Sequence, residues 1–187
     1  MIKHISKGCG VWMVPFSDSN NILILRTPTW LRLIIFISEL SVILFGWNNL
    51  LHLANNPNAS VVFIVLFFII NPFLHEKCHA FVYNELTGNK ATISFANCRF
   101  NKPCTVAQFR LTLLSPLFIV ALYGIVLGVL IWLQCPLILV QLTALGVIVA
   151  LFGICGDFYW LFLLRKIKPS YLVIDEGVSA RVYKDIS

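Results

Sequence analysis

Charged residues are scarce in this chain. Only eight aspartates and glutamates occur among 187 residues, all charged residues together make up 12%, and apolar residues make up 59%. The mean hydropathy is +0.87. Because soluble domains carry roughly 25% charged residues, this composition excludes an ordinary soluble protein. It predicts a protein that crosses a membrane several times.

Further absences exclude whole classes of function. The six cysteines include no Cys-x-x-Cys pair and no regular series, which excludes a disulfide framework and a cysteine-based zinc site. The net charge of +6 does not predict a nucleic-acid partner, because the lysines and arginines are scattered between apolar segments. Four histidines are too few for a membrane di-iron oxidase. No repeat or linker divides residues 1–187, so we expect a single domain.

Four apolar runs are long enough to cross a membrane, which takes about 20 residues in a helix. They cover approximately residues 31–53, 60–83, 109–133 and 136–164. We therefore predict an all-α membrane protein with four transmembrane helices. The first run has no cleavage signal after it, so we interpret it as a spanning helix and not as a signal peptide.

A small β element is predicted in the polar parts of the chain, namely the loop at residues 86–108 and the tail at residues 165–187. Apolar residues alternate in the loop, and Glu176-Gly177 is a turn signal between two apolar stretches of the tail. The predicted strands are residues 92–96, residues 171–174, residues 178–182 and, as a further candidate, residues 21–25.

The distribution of basic residues predicts the orientation in the membrane. Lysines and arginines occur before the first apolar run, in the loop at residues 86–108 and in the tail, whereas residues 54–59 and 134–135 contain none. Because basic loops stay in the cytoplasm, we expect both termini and the long loop to be cytoplasmic.

The motif His75-Glu76-Lys77-Cys78-His79 lies at the end of the second apolar run. On a helix, His75 and His79 project from one face about 5–6 Å apart, and this spacing is typical of two ligands to one zinc ion. Glu76 is then placed to act as the general base of a hydrolytic reaction. The alternative is that both histidines are only hydrogen-bonded inside the helix bundle.

A catalytic zinc ion needs a third protein ligand. Asp157 lies inside the fourth apolar run, at a depth comparable to that of the two histidines, whereas Glu85 is too close to His79 on the same helix. Glu176 and Asp185 lie in the polar tail. Small residues at Gly146, Ala150 and Gly153 share one helix face with Asp157, and such a strip allows close helix packing in membranes. We therefore predict that His75, His79 and Asp157 bind zinc.

Four further residues near the motif have predicted roles. Pro72 is predicted to kink the second helix and to admit water. Asn71 and Tyr83 share a face with the histidines and either stabilise an oxyanion or form interhelical hydrogen bonds. Glu39 in the first helix either supports a zinc-binding histidine or is solvated.

The ordered set of motifs resembles the putative zincin peptidase family of small bacterial membrane proteins, which are similar to site-2 proteases. The resemblance covers most of the chain from the second helix onward. It is carried by His75-Glu76-x-x-His79, Ser94-Phe95, Leu114-Ser115-Pro116, Gly156-Asp157 and the run from Tyr171 to Asp175. It implies a zinc peptidase with Glu76 as the base, located in a bacterial cytoplasmic membrane. Site-2 proteases typically have Asp-Gly after an Asn-x-x-Pro stretch, and this chain has Gly156 before Asp157, so the oxyanion stabiliser stays open.

The sequence thus predicts a zinc-dependent metalloprotease that cleaves membrane proteins or peptides in or near their transmembrane segments. The strand at residues 92–96 is a candidate for binding an unwound substrate through its edge. Two alternatives remain. One is a non-catalytic metal-binding protein, such as a sensor, a chaperone or a pseudoprotease, and the other is a transporter. Clustering of the titratable residues on one side of the membrane argues against transport.

Overall fold

The computed structural model describes residues 21–54, 70–94 and 97–184. Within these ranges the protein is mostly helical, with two small sheets. The helices are α1 (Thr29–Ala54), α2 (Asn71–Thr87), α3 (Val106–Leu114), α4 (Leu117–Trp132) and α5 (Leu137–Leu164). The strands are β1 (Asn21–Leu25), β2 (Ala91–Ser94), β3 (Asn97–Phe100), β4 (Cys104–Thr105), β5 (Leu172–Asp175) and β6 (Ala180–Tyr183).

The helices lie in the predicted apolar runs. Two helical stretches in the described part of the chain, Val106–Trp132 and Leu137–Leu164, are long and apolar enough to cross a membrane. The predicted second helix is described from Asn71, with Pro72 in its first turn, and it continues to Thr87. Residues 60–69 lie outside the described residues, so the count of four transmembrane helices stays a prediction.

The third apolar run is not one uninterrupted helix. It begins at Val106, before the predicted start, because Thr105 and Gln108 form a capping box in which each side chain accepts the backbone N–H of the other. A turn at Ser115-Pro116 then separates α3 from α4. Proline has no N–H to donate to the carbonyl one turn earlier, so the regular hydrogen-bonding pattern breaks there.

Four strands form an antiparallel sheet with the order β1-β6-β5-β4. The predicted C-terminal hairpin is confirmed as β5 and β6, which pair around a turn at Gly177, where φ is 91°. The candidate strand at residues 21–25 is also present, and it pairs with β6. In the polar loop, β2 pairs with β3, a strand that sequence reasoning did not predict. Residues 95 and 96 lie outside the described residues.

The main apolar core lies between this sheet and the neighbouring helix ends. Tyr83 of α2 stacks on Phe100 of β3 with ring centroids 3.9 Å apart, and Phe100 meets Phe109 of α3 edge-on at 5.7 Å. Trp160 of α5 completes the row, 6.1 Å from Phe109. This aromatic row fixes α2, α3 and α5 relative to one another.

Gly153 of α5 lies against His75 of α2, as the small-residue strip predicted. Gly146 and Ala150 are buried. A Cβ atom added to Gly153 would stand 3.5 Å from Nδ1 of His75. A larger side chain at position 153 would therefore press on the histidine that faces it.

Replacement of Tyr83 by phenylalanine tests how α2 is anchored to the polar loop. The Tyr83 hydroxyl donates to the carbonyl of Lys102 at 2.7 Å and accepts the Lys102 N–H at 3.2 Å. Loss of these bonds should cost about 1 kcal/mol. This corresponds to a decrease in Tm of about 2–4 °C, measured by thermal unfolding in detergent. Tyr123→Phe in α4 is the control, and an equal decrease in both variants would contradict the anchoring role.

Candidate metal centre

Three side chains from two helices converge on one point. Nε2 of His75 and Nε2 of His79 are 3.1 Å apart on α2. Oδ2 of Asp157 on α5 lies 3.3 Å from the first of these atoms and 3.4 Å from the second. The structure thus brings together the three residues that the sequence predicted as ligands, and the group is able to hold a metal ion.

The orientation of His79 follows from the break in the third apolar run. Nδ1 of His79 lies 2.8 Å from the carbonyl oxygen of Thr112. A carbonyl only accepts, so Nδ1 carries the proton and Nε2 keeps its lone pair. Thr112 is the residue one turn before Pro116, and proline cannot donate to that carbonyl. The N–H and the hydroxyl of Ser115 donate to the same oxygen, at 3.1 and 2.6 Å.

The donor set fits zinc. Oδ2 of Asp157 is buried, and no described residue donates a well-aligned hydrogen bond to it. A buried carboxylate oxygen without a partner is costly, and a cation at this point would compensate it. Ligand atoms of a tetrahedral zinc lie about 2.0–2.1 Å from the metal and therefore about 3.3 Å from one another. The three observed distances of 3.1, 3.3 and 3.4 Å have this spacing.

Glu76 lies beside the three converging atoms. The backbone N–H of Cys98 in β3 lies near its carboxylate. Glu76 lines the same cavity as His75, His79 and Asp157. A carboxylate held next to a metal-ligand cluster is suited to proton transfer.

The cavity has a volume of about 190 Å³ and joins the metal-ligand cluster to the core. Its polar wall comprises Thr27, His75, Glu76, His79, Cys98, Thr112, Asp157 and Asp175, and its apolar wall comprises Phe100, Phe109, Leu113 and Trp160. Gly153, Gly156 and Gly177 complete it. The polar loop contributes β3 to this lining, whereas no residue of β2, the strand predicted to bind substrate, is part of it.

Asp175 is the site residue that sequence reasoning missed. It ends β5, and Oδ1 accepts the N–H of Gly177 at 2.8 Å. Burial raises the pKa of Asp175 to about 7. The available signal was the alternation in Leu172-Val173-Ile174-Asp175, which places the acid on the same strand face as the buried Val173.

The other polar residues near the motif are not part of the cavity wall. Tyr83 bonds to the Lys102 backbone, which favours the structural reading over an oxyanion role. Asn71 is buried and does not line the cavity. Glu39 of α1 is close enough to His75 for an electrostatic interaction. A supporting role for Glu39 therefore stays a prediction.

Replacement of Pro116 by alanine should weaken zinc binding. The new N–H at position 116 would donate to the Thr112 carbonyl and compete with His79 for it. Loss of such a supporting bond typically reduces metal affinity roughly 10- to 100-fold. The affinity is measured by competition with a chromophoric chelator in detergent. Pro136→Ala, at the start of α5, is the control, and equal affinities of both variants would contradict the link from Pro116 to His79.

Replacement of Asp175 by asparagine should flatten the pH dependence of stability. The pKa of Asp175 rises from 3.8 in the unfolded chain to about 7 in the folded protein. The folded state therefore binds more protons between these values, and its stability falls as the pH rises through this window. Thermal unfolding of metal-free protein at pH 5 and pH 8 should show a smaller loss for Asp175→Asn than for the wild type. The neighbouring Glu76, His79 and Asp157 are common to both proteins.

Glu176→Gln is the control for this measurement, because Glu176 is 40% exposed and pairs with Arg181 on the surface. It should retain the wild-type pH dependence. An unchanged pH dependence in Asp175→Asn would show that Asp175 is ionised over the whole range in the folded protein.

Comparison with known proteins agrees with the site. The chain matches a protein family described as "Putative zincin peptidase" over residues 67–172. The match includes the His75-Glu76-x-x-His79 motif and Asp157. No curated protein and no solved structure shows significant similarity to the chain. Zincins use this motif to bind zinc, so the match indicates a metal-dependent peptide hydrolase and implies zinc as the metal. Because the match covers more than half of the sequence, the chain belongs to the putative zincin peptidase family.

Proposed function

We propose that this protein is a zinc-dependent, membrane-embedded metalloprotease that hydrolyses peptide bonds in or near the transmembrane segments of membrane proteins. In this respect it would resemble site-2 proteases. The proposal rests on one observation. Three metal-ligand atoms from α2 and α5 lie 3.1–3.4 Å apart, and Glu76 lines the same cavity.

In this proposal His75, His79 and Asp157 hold the zinc ion. When bound, zinc would polarise the scissile carbonyl and make water a stronger nucleophile. The hydrogen bond to the Thr112 carbonyl keeps the lone pair of His79 directed at the ion and prevents rotation of the ring. Gly153 leaves space for the ring of His75 against α5.

Glu76 acts as the general base and then as the general acid. Its carboxylate accepts a proton from the attacking water and returns it to the nitrogen of the leaving amine. The nearby N–H of Cys98 would help to orient the carboxylate during both transfers. Proton transfer by a positioned side chain contributes roughly 10²–10⁴-fold to the rate, so Glu76 should be essential for turnover.

Apolar exposed surfaces support the membrane part of the proposal. Phe118, Ile125 and Trp132 of α4 are 70%, 65% and 81% exposed. Exposed apolar patches on this scale are typical of surfaces that contact lipid or a partner. The distribution of lysine and arginine favours cytoplasmic termini, and the family resemblance favours a bacterial cytoplasmic membrane.

Substrate would enter the cavity as an extended segment, because a helical backbone shields its carbonyls in hydrogen bonds. Of the two strands in the polar loop, β3 lines the cavity, through Cys98 and Phe100. We therefore assign the substrate-facing wall of the loop to β3 in place of β2.

The test compares wild-type and Glu76→Gln membranes by quantitative proteomics. Glu76→Gln should retain one zinc ion per chain and should lose cleavage by at least about 10²-fold, so that fragments of a membrane protein disappear. Asp157→Ala is the companion variant, and it should lose both zinc and cleavage. If Glu76→Gln binds zinc and produces the same fragments as the wild type, Glu76 is not the base. If the wild type binds zinc and neither variant changes any fragment, the protein is a non-catalytic metal-binding protein.

A further inference from the structure

Asp175 is an acid on the otherwise apolar buried face of the four-stranded sheet. Leu25, Val173, Ala180 and Val182 on this face are each 0% exposed. Because side chains alternate along a strand, Asp175 projects from β5 on the same side as Val173, towards α2 and α5. It thereby lines the cavity that holds the metal-ligand cluster.

A role in the turn that follows β5 does not explain why Asp175 lies on the buried face of the sheet. Only one carboxylate oxygen of Asp175, Oδ1, accepts the N–H of Gly177, and no other described residue donates a hydrogen bond to this side chain. A side chain that only shaped the turn would serve equally well on the exposed face of the strand. No lysine or arginine among the described residues lines the cavity, so the carboxylate has no fixed cation beside it.

A second residue of the cavity wall has a polar atom without a hydrogen-bond partner among the described residues. Trp160 lies one turn after Asp157 on α5 and is 7% exposed. Its indole N–H has no acceptor among the described residues. Buried tryptophan N–H groups usually have an acceptor. The absence of one here therefore indicates that a ligand supplies the acceptor oxygen.

Together the two residues offer one acceptor and one donor next to the metal-ligand cluster. A peptide unit carries the complementary pair, an N–H and a carbonyl oxygen. The cavity, at about 190 Å³, is smaller than the roughly 300–1,000 Å³ of sites for drug-sized ligands. It therefore suits a short stretch of peptide backbone.

We propose that Asp175 and Trp160 bind the main chain of the substrate, Asp175 by accepting an N–H and Trp160 by donating to a carbonyl oxygen. This inference rests on the proposed function, because it assigns substrate-binding residues to the same site. Binding through the main chain makes recognition independent of most substrate side chains. Phe100 and Leu113, which also line the cavity, favour an apolar side chain at the adjacent position.

The test uses two probes with the zinc-loaded protein in detergent. Acetohydroxamate binds only the metal, whereas N-acetyl-leucyl-leucine hydroxamate adds a peptide backbone. The ratio of their dissociation constants measures the contribution of the backbone. In Asp175→Asn, the side-chain oxygen can still accept the Gly177 N–H, but the amide nitrogen then faces the substrate N–H. The preference for the peptide probe should fall roughly tenfold or more. In Trp160→Phe it should fall roughly fivefold.

Glu176→Gln and Trp132→Phe are the matched controls, and they should leave the ratio unchanged. Acetohydroxamate should bind all five proteins with the same affinity. A wild-type ratio in both Asp175→Asn and Trp160→Phe would overturn the inference while leaving the metal site intact. Failure of the zinc-loaded wild type to bind acetohydroxamate would overturn the proposed metal site, and this inference with it. If Asp175→Asn retains the ratio and only Trp160→Phe lowers it, the assignment of Asp175 is wrong.

Discussion

The hydrogen bond between His79 and the Thr112 carbonyl is the constraint on which the candidate site depends. Pro116 cannot donate to this carbonyl, whose oxygen accepts from Ser115 and from the imidazole instead. The bond selects the tautomer of His79 and fixes the plane of its ring. A backbone atom is a rigid support, since its position is set by α3 and by the capping box at Thr105 that starts this helix.

The position of the site follows from packing. The hydrophobic core of the described residues lies between the four-stranded sheet and the ends of α2, α3 and α5. The metal-ligand cluster borders this core, whereas the outer faces of α4 and α5 are exposed and apolar. Precise ligand geometry requires a rigid scaffold, and here the aromatic row through Tyr83, Phe100 and Phe109 supplies it.

The sequence predicted the parts of the site that depend on one helix at a time. The spacing of His75 and His79 fixes their common face, and the small residues on α5 indicate which face carries Asp157. The capping residues at the start of α3 and Pro116 can also be recognised in the sequence. Hydrophobicity alone does not indicate the break between α3 and α4, because the apolar run continues through it. The alternation along β5 indicates a buried face for Asp175, but its proximity to Glu76 depends on how a terminal hairpin pairs and docks. The approach of Cys98 to Glu76 likewise depends on the register of β2 and β3.

The four-stranded sheet joins the first described residues of the chain to the last, since β1 pairs with β6. All three metal-ligand residues precede β5 and β6 in the sequence. During synthesis, the helices that carry these residues therefore leave the ribosome before β5, which carries Asp175. Pairing between segments so distant in sequence is slow to form, because closing a long loop costs entropy. The three ligand residues thus precede the hairpin in the sequence, and the cavity wall at Asp175 is complete only when β5 has docked.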